Sequence, residues 1–403
     1  MANRSKLLTA LGGDKAEQSE FETVLLGYFG RAAHLSNREI LYSNREGGAA
    51  LSLVYNANGL LKSAEGGPNL KDEDVKNIRT QVDQELLTPG PARVRRRILF
   101  CGVPTKGWFR YGDVFQIVPL PDEAPRPNYM LGDHPLVLEF KYPSSSHSSV
   151  SLDRQQRIGR ELELICSALL AWRLWSIGPQ SQHHWTVELT GNAAQITSKF
   201  LQEAYMWPGM VVEAETFSPT GTLTPLTTVD PQMYYSYTHG AVGPGLALDI
   251  PGDLTRLLDA VWNLTRQDRD RFLRAGYWFQ HAHNVRTLSL SAAFVSLVSA
   301  IEALSSGPRS DKRCDECGQL VGPGPTKLFA DFVEAHLPGT SIPEPERKRF
   351  YRLRSGLSHG GKLLLSDHSL WDFSPSTLDE DHAGRVLWQI AQTVLRNWLI
   401  MRP

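Results

Sequence analysis

Cysteine is scarce: four in 403 residues, too few for the disulfide framework that small secreted domains rely on. An excess of one charge is missing too. Lys and Arg number 42 against 43 Asp and Glu, a formal net charge of −1. That balance excludes a globally basic, histone-like nucleic-acid binder and leaves room for a local basic patch. No long apolar run is present. The best, Thr287–Ile301, is interrupted by serines and closes on Glu302, short of the ~18 apolar residues of a spanning helix. The start carries Arg4 and Lys6 without an apolar stretch behind them, so no signal peptide is read there. A soluble, cytoplasmic protein with no membrane partner is expected. No Gly-x4-Gly-Lys-Ser/Thr phosphate loop occurs, and Gly-Pro-Gly-Pro-Thr-Lys327 lacks the phosphate-loop order.

What is there reads as a folded chain. Hydrophobic residues make up 41% and charged residues 21%, enough to build a sizeable core. At ~150 residues per domain, two to three domains are expected. The character of the sequence changes near residue 245. Residues 1–245 read as a mixed α+β domain, with a subdivision considered near residue 90. Phe21–Leu35 and Asp72–Leu87 read as helices. Ala49–Tyr55, Arg97–Gly102, Gly112–Val118, Pro135–Tyr142, Trp185–Leu189 and Met210–Glu215 read as strands, short, β-prone and bounded by Gly or Pro. Ile158, Leu162, Ile165, Leu169 and Trp172 recur at helical spacing. Residues 246–403 read as an all-α bundle. Leu290, Phe294, Leu297, Ile301 and Leu304 form one stripe; Leu387, Ile390, Val394 and Trp398 form another. Pro345 sits where a first-turn proline belongs.

The most informative segment is Glu346-Arg-Lys-Arg-Phe-Tyr-Arg-Leu-Arg-Ser-Gly-Leu-Ser-His-Gly-Gly361. Arg347, Lys348, Arg349, Arg352 and Arg354 crowd one expected helix in a chain of no net positive charge, a local anion site or a solvated helical face. As an anion site, Arg347, Lys348 and Arg349 would grip RNA phosphates irrespective of sequence.

Tyr351-Arg-Leu-Arg-Ser-Gly-Leu-Ser-His359-Gly resembles the Arg-x4–6-His signature of HEPN domains, in particular the Apea-like HEPN group, over about residues 250–401. The aromatic helix around Gly276-Tyr-Trp-Phe279 and the segment Phe294–Leu304 share in the resemblance. It implies a HEPN-like helical bundle that dimerises and acts as a metal-independent endoribonuclease, in antiviral (anti-phage) defence or as a toxin-like RNA-cleaving enzyme. Arg354 and His359 would be catalytic, meeting those of a second protomer across the dimer interface. Arg352 also fits the spacing and is assigned, with Ser355 and Glu302, a supporting role. The chemistry asks for these groups. Attack of the ribose 2′-OH on the adjacent phosphate needs a proton acceptor, which an imidazole provides, and a fixed cation on the phosphate oxygens, which a guanidinium provides. Whether His359 serves as base or acid stays open at this point. Residues 1–245 would sense a protein or phage-derived trigger, or gate access.

Three other readings compete. A catalytically silent HEPN-like module would bind RNA or a protein. Cys314-Asp-Glu-Cys317 is half of a zinc knuckle, a possible structural zinc site with no second Cys-x-x-Cys to complete it; no cofactor is expected for catalysis. Asp133, Glu139 and Lys141 resemble the acid and Glu-x-Lys elements of Mg²⁺-dependent nucleases. Strand alternation accounts for Glu139 and Lys141 more simply, as one face of a half-buried edge strand. Arg93-Val-Arg-Arg-Arg97 is read as solvated edge charge.

Overall fold

The computed structural model describes residues 2–44, 48–88, 90–122, 124, 134–170, 174–175, 185–190, 196–202, 208–210, 213–236, 247–286, 288–305, 323–337, 342–368 and 374–402. The chain has a sheet-rich N-terminal region and a helical C-terminal part. Its contacts divide it into two compact units: residues 1–95 with 140–159 and 213–217, and residues 96–139 with 160–212 and 218–403. The boundary expected near 245 does not coincide with this division, since residues 218–403 belong to one unit.

In the first unit, α1 (Ala2–Ala10) and α2 (Gln18–Phe29) precede an antiparallel sheet of β1 (Arg31–Ser36), β2 (Glu39–Ser43), β3 (Ala49–Tyr55) and β4 (Leu61–Gly66), followed by α3 (Asp72–Val82). The helix expected over Phe21–Leu35 ends early. Gly30 adopts φ 83° and its N–H returns to the Leu26 carbonyl, a left-handed stop that glycine reaches without steric cost. The residues after it become β1. Phe21, Val24 and Leu25 of α2 close over Leu51 and Leu53 of β3 and Ile78 of α3.

The chain continues through β5 (Ala92–Cys101), β6 (Phe109–Tyr111), β7 (Phe115–Pro119), β8 (His134–Pro143) and α4 (Ser148–Leu169). Then come β9 (Leu174–Trp175), β10 (Trp185–Thr190) and β11 (Ile196–Gln202). The unit boundaries fall within β5, β8 and α4. β8 is the central strand of the order β6-β7-β8-β5-β9, and Leu136, Val137, Leu138, Glu139 and Phe140 are all buried. The half-buried edge expected here is therefore a strand covered on both faces, which shows a continuous apolar run instead of alternation. The strand expected over Met210–Glu215 is absent among the described residues: Pro208–Met210 form a 3₁₀ turn and Ala214 makes a lone bridge to Val94.

The helical part opens with β12 (Thr227–Val229), α5 (Pro231–Ser236) and β13 (Asp249–Pro251), the two strands pairing in parallel. It continues with α6 (Leu254–Asn263), α7 (Arg266–Val285), α8 (Leu290–Ser305), α9 (Pro325–His336), α10 (Glu344–Ser358), α11 (Leu365–His368) and α12 (Pro375–Ile400). The expected stripe of α12 is buried, as is that of α8 apart from the half-buried Leu290, and the Trp398 ring stacks on Phe272 of α7, centroids 6.2 Å apart. α7 starts behind Thr265, whose hydroxyl accepts from the Asp268 N–H, a side-chain cap on one of the helix's free donors. α8 is capped from a distance. The Asp367 carboxylate of α11 accepts from the N–H groups of Leu290 (2.7 Å) and Ser291 (2.9 Å) and from the Ser289 hydroxyl (2.8 Å), satisfying donors that no helix can pair internally. Burial alone would raise this carboxyl; the hydrogen bonds from Ser291, Ser289 and Leu290 outweigh it and hold its pKa below the ordinary value. Among the described residues, no helix is long and apolar enough to cross a membrane.

Candidate active site

α10 is built to present its C-terminal end. Pro345 lies in its first turn, where a missing N–H costs nothing. Phe350, Leu353 and Leu357 bury one face. The helix closes in a Schellman motif: Gly361 N–H donates to the Gly356 carbonyl (3.0 Å) and Gly360 N–H to that of Leu357 (3.2 Å), with Gly360 at φ 70°. This motif needs a left-handed residue just past the cap, which explains the Gly-Gly pair. His359 is thereby the capping residue, at φ −92° and ψ 7°. Its side chain is exposed, and it makes no hydrogen bond or ion pair with a described residue. Ser355 contributes its carbonyl, which accepts the His359 N–H at 3.1 Å.

One turn back, Arg354 points to α8. Its Nη2 lies 2.9 Å from Glu302 Oε2, with the two side chains 26% and 28% exposed. The Tyr351 hydroxyl donates to the other Glu302 oxygen at 3.1 Å. The Arg354 guanidinium sits 5.7 Å from the Tyr351 ring centroid, and that ring packs on Phe329 of α9 at 5.5 Å. Glu302 thus fixes both an arginine and a tyrosine, and a guanidinium so clamped has few rotamers left. Arg354 and Glu302 are brought together. No hydrogen bond or ion pair joins either of them to His359 among the described residues.

The rest of the basic run divides by helical phase. Arg347 is largely buried and pairs with Glu334 of α9 and the Ile342 carbonyl. Lys348 pairs with Glu344 at 2.6 Å. Arg349 pairs with Asp379 of α12 and with Glu346. The three residues assigned to RNA phosphates each carry a carboxylate partner. Arg352 has none among the described residues: it is exposed and lines a cleft of about 430 Å³ with Arg349, Gly356, Lys362, Asp379 and Glu380. That cleft lies on a different face of α10 from Arg354, since two residues turn a helix through about 200°.

Comparison with protein-family models, with curated proteins and with solved structures found no match. The residues themselves carry the functional reading.

The rival acidic constellation is structural where it is described. Glu139 accepts from Arg96 Nε (2.8 Å), Gln116 Nε2 (2.6 Å) and the Ser218 N–H (2.8 Å). Burial works to raise its carboxyl, and the bonds from Ser218, Arg96 and Gln116 overcome it, so the pKa lies below the ordinary value. With the Ser218 hydroxyl (2.5 Å) these donors engage both carboxylate oxygens. Lys141 lies 5.5 Å from the Phe217 ring centroid, and Asp133 lies outside the described residues. The arginines of β5 are not solvated edge charge: Arg93, Arg96 and Arg97 pair with Glu215, Glu139 and Glu163. Cys314 and Cys317 also lie outside the described residues. Among those described, no group of three or more His, Cys, Asp and Glu is placed to hold a metal. Cys101 and Cys166 are buried, and burial, with Glu163 adding to it, pushes Cys166 up to about 12.

Tyr351 and Lys362 were not singled out as site residues from sequence. Tyr351 had a signal, because it lies three residues before Arg354 on one helical face. Lys362 had none: it follows the glycines, and only the fold returns it to the Arg352 cleft.

Proposed function

We propose that this protein is a metal-independent endoribonuclease in which Arg354 and His359 act on one RNA phosphodiester. The observation that carries the proposal is the end of α10, where a guanidinium clamped by Glu302 and Tyr351 is followed by a bare imidazole on a rigid glycine-capped terminus. Glu302 engages Arg354 Nη2 and so orients a guanidinium whose fork matches the oxygens of a phosphate. His359, with no side-chain partner among the described residues, would take the 2′-OH proton or give one to the leaving 5′-oxygen. Negative charge growing on the phosphate would meet a cation already oriented, which lowers the barrier without reorganisation. Since Arg354 and His359 of one copy do not touch, a homodimer that apposes two α10 ends supplies the missing geometry. RNA and a second copy of the chain are then the partners. The role in defence or as a toxin rests on the HEPN resemblance alone.

Cleavage of a labelled RNA in EDTA tests the proposal. The wild-type chain is expected to cut, and Arg354→Ala and His359→Ala are expected to lose activity by a factor of about 10² or more, as for removal of a general acid–base group or a charge-stabilising donor. Equal cleavage by either variant ends it. One observation favours a second reading, a silent HEPN-like module that binds a protein or RNA: carboxylates neutralise Arg347, Lys348 and Arg349. Binding of RNA without any product supports that reading instead.

A further inference from the structure

A second cavity, of about 270 Å³, opens between α8 and α12. Its walls are apolar: Leu290, Phe294, Leu297, Leu364 and Trp388 line it. Four charged residues also reach it, and they divide sharply. The acids are already occupied. Glu380 accepts the Leu365 N–H at 2.6 Å, and Asp381 accepts from the Ser366 hydroxyl at 2.9 Å. The cations are not. Neither the Arg286 nor the Arg385 side chain makes a hydrogen bond or ion pair with a described residue. Arg286 is only partly exposed, and burial pushes its guanidinium below the ordinary value. A desolvated cation without a counter-ion is costly, and that cost falls when an anion enters beside it.

Apolar walls with two unpaired guanidinium groups specify an amphipathic anion. The volume sits at the lower limit of ordinary ligand pockets, roughly 300–1,000 Å³, which excludes a nucleotide-sized guest. We infer that this cavity binds a small organic anion, an aliphatic or aryl carboxylate, with its acid group on Arg286 and Arg385 and its body against Phe294, Leu297 and Trp388. The inference is independent of the ribonuclease proposal.

Isothermal titration of the full chain with octanoate and with naphthoate tests it, with octanol and inorganic phosphate as the neutral and the bodiless controls. Saturable one-to-one binding of at least one carboxylate is expected. Arg286→Gln and Arg385→Gln should each weaken it about tenfold or more, the loss of a charge-assisted contact. Arg385 is exposed, so its variant keeps the test valid if Arg286→Gln lowers the melting temperature. Ala293→Leu, which fills the cavity from its wall, should abolish binding. No binding of either carboxylate overturns the inference. So does unchanged affinity in both arginine variants, or binding of octanol or phosphate as tight as that of the carboxylates.

Discussion

Arg352 and Arg354 differ by two positions on α10, and the rotation between them gives them different chemistry. Arg354 meets Glu302 and Tyr351 and is held; Arg352 is exposed and faces an open cleft. The value of Glu302 should therefore appear in rate and hardly at all in stability. An ion pair exposed to this degree contributes about 0–1 kcal/mol, so Glu302→Gln should leave the urea midpoint almost unchanged. The same substitution keeps the side-chain shape and removes the charge that orients Arg354. RNA cleavage should fall about tenfold or more, the cost of roughly 1.4 kcal/mol of transition-state stabilisation, with the loss in kcat and little change in KM. A loss confined to KM would show that Glu302 serves binding alone.

At the scale of elements, the glycine pair that ends α10 is the joint between helix and site. Gly360→Ala forces a side chain into a left-handed backbone, costing about 1 kcal/mol. Unfolding by urea should register that modest loss, while RNA cleavage should drop further because His359 leaves its place; equal proportional effects would contradict this. α7 carries a similar constraint at Gly276, where an added Cβ would stand 2.9 Å from the Leu164 carbonyl oxygen, closer than packed atoms allow. Sequence made some elements legible and others not, for physical reasons. β3 has the bounds its pattern predicts, and the stripes of α8 and α12 are buried at every position but Leu290, because both signals are local. α2 ends earlier than expected because a backbone stop at Gly30 overrides an apolar period that continues past it. β8 shows no clean alternation because both its faces are covered. Glu334 of α9 and Asp379 of α12, which pair with Arg347 and Arg349, are announced by no spacing within α10. The Arg354 and His359 pair was legible as residues, and Glu302 as a candidate partner; the face each occupies was not.

For the whole molecule, several titratable groups tie stability to pH in one direction. His283 packs against Trp388 with ring centroids 6.0 Å apart, and burial, with Arg286 adding to it, drives its pKa from 6.5 to about 3. The folded chain keeps this imidazole neutral while the unfolded chain protonates it. Its contribution is therefore whole above pH 6.5 and is lost as pH falls from there toward 3, with a limiting slope of about 1.4 kcal/mol per pH unit. Glu139 and Asp367, held below their ordinary values, contribute above the carboxylate range of about 4 and lose that contribution at more acid pH. Denaturant titrations from pH 8 to 4 should show falling stability, and His283→Gln should flatten the slope between pH 6.5 and 4.5; an unchanged slope in the variant would assign the pH dependence elsewhere. The catalytic account also belongs to the whole molecule, because it requires two copies. It is tested most directly by the ends of the RNA fragments made in EDTA. Attack by the 2′-OH predicts a 2′,3′-cyclic phosphate on one fragment and a 5′-hydroxyl on the other, with neither formed by His359→Ala or from a substrate carrying a 2′-deoxy sugar at the cut. Fragments ending in 5′-phosphate, or cutting that persists at the deoxy position, would contradict it.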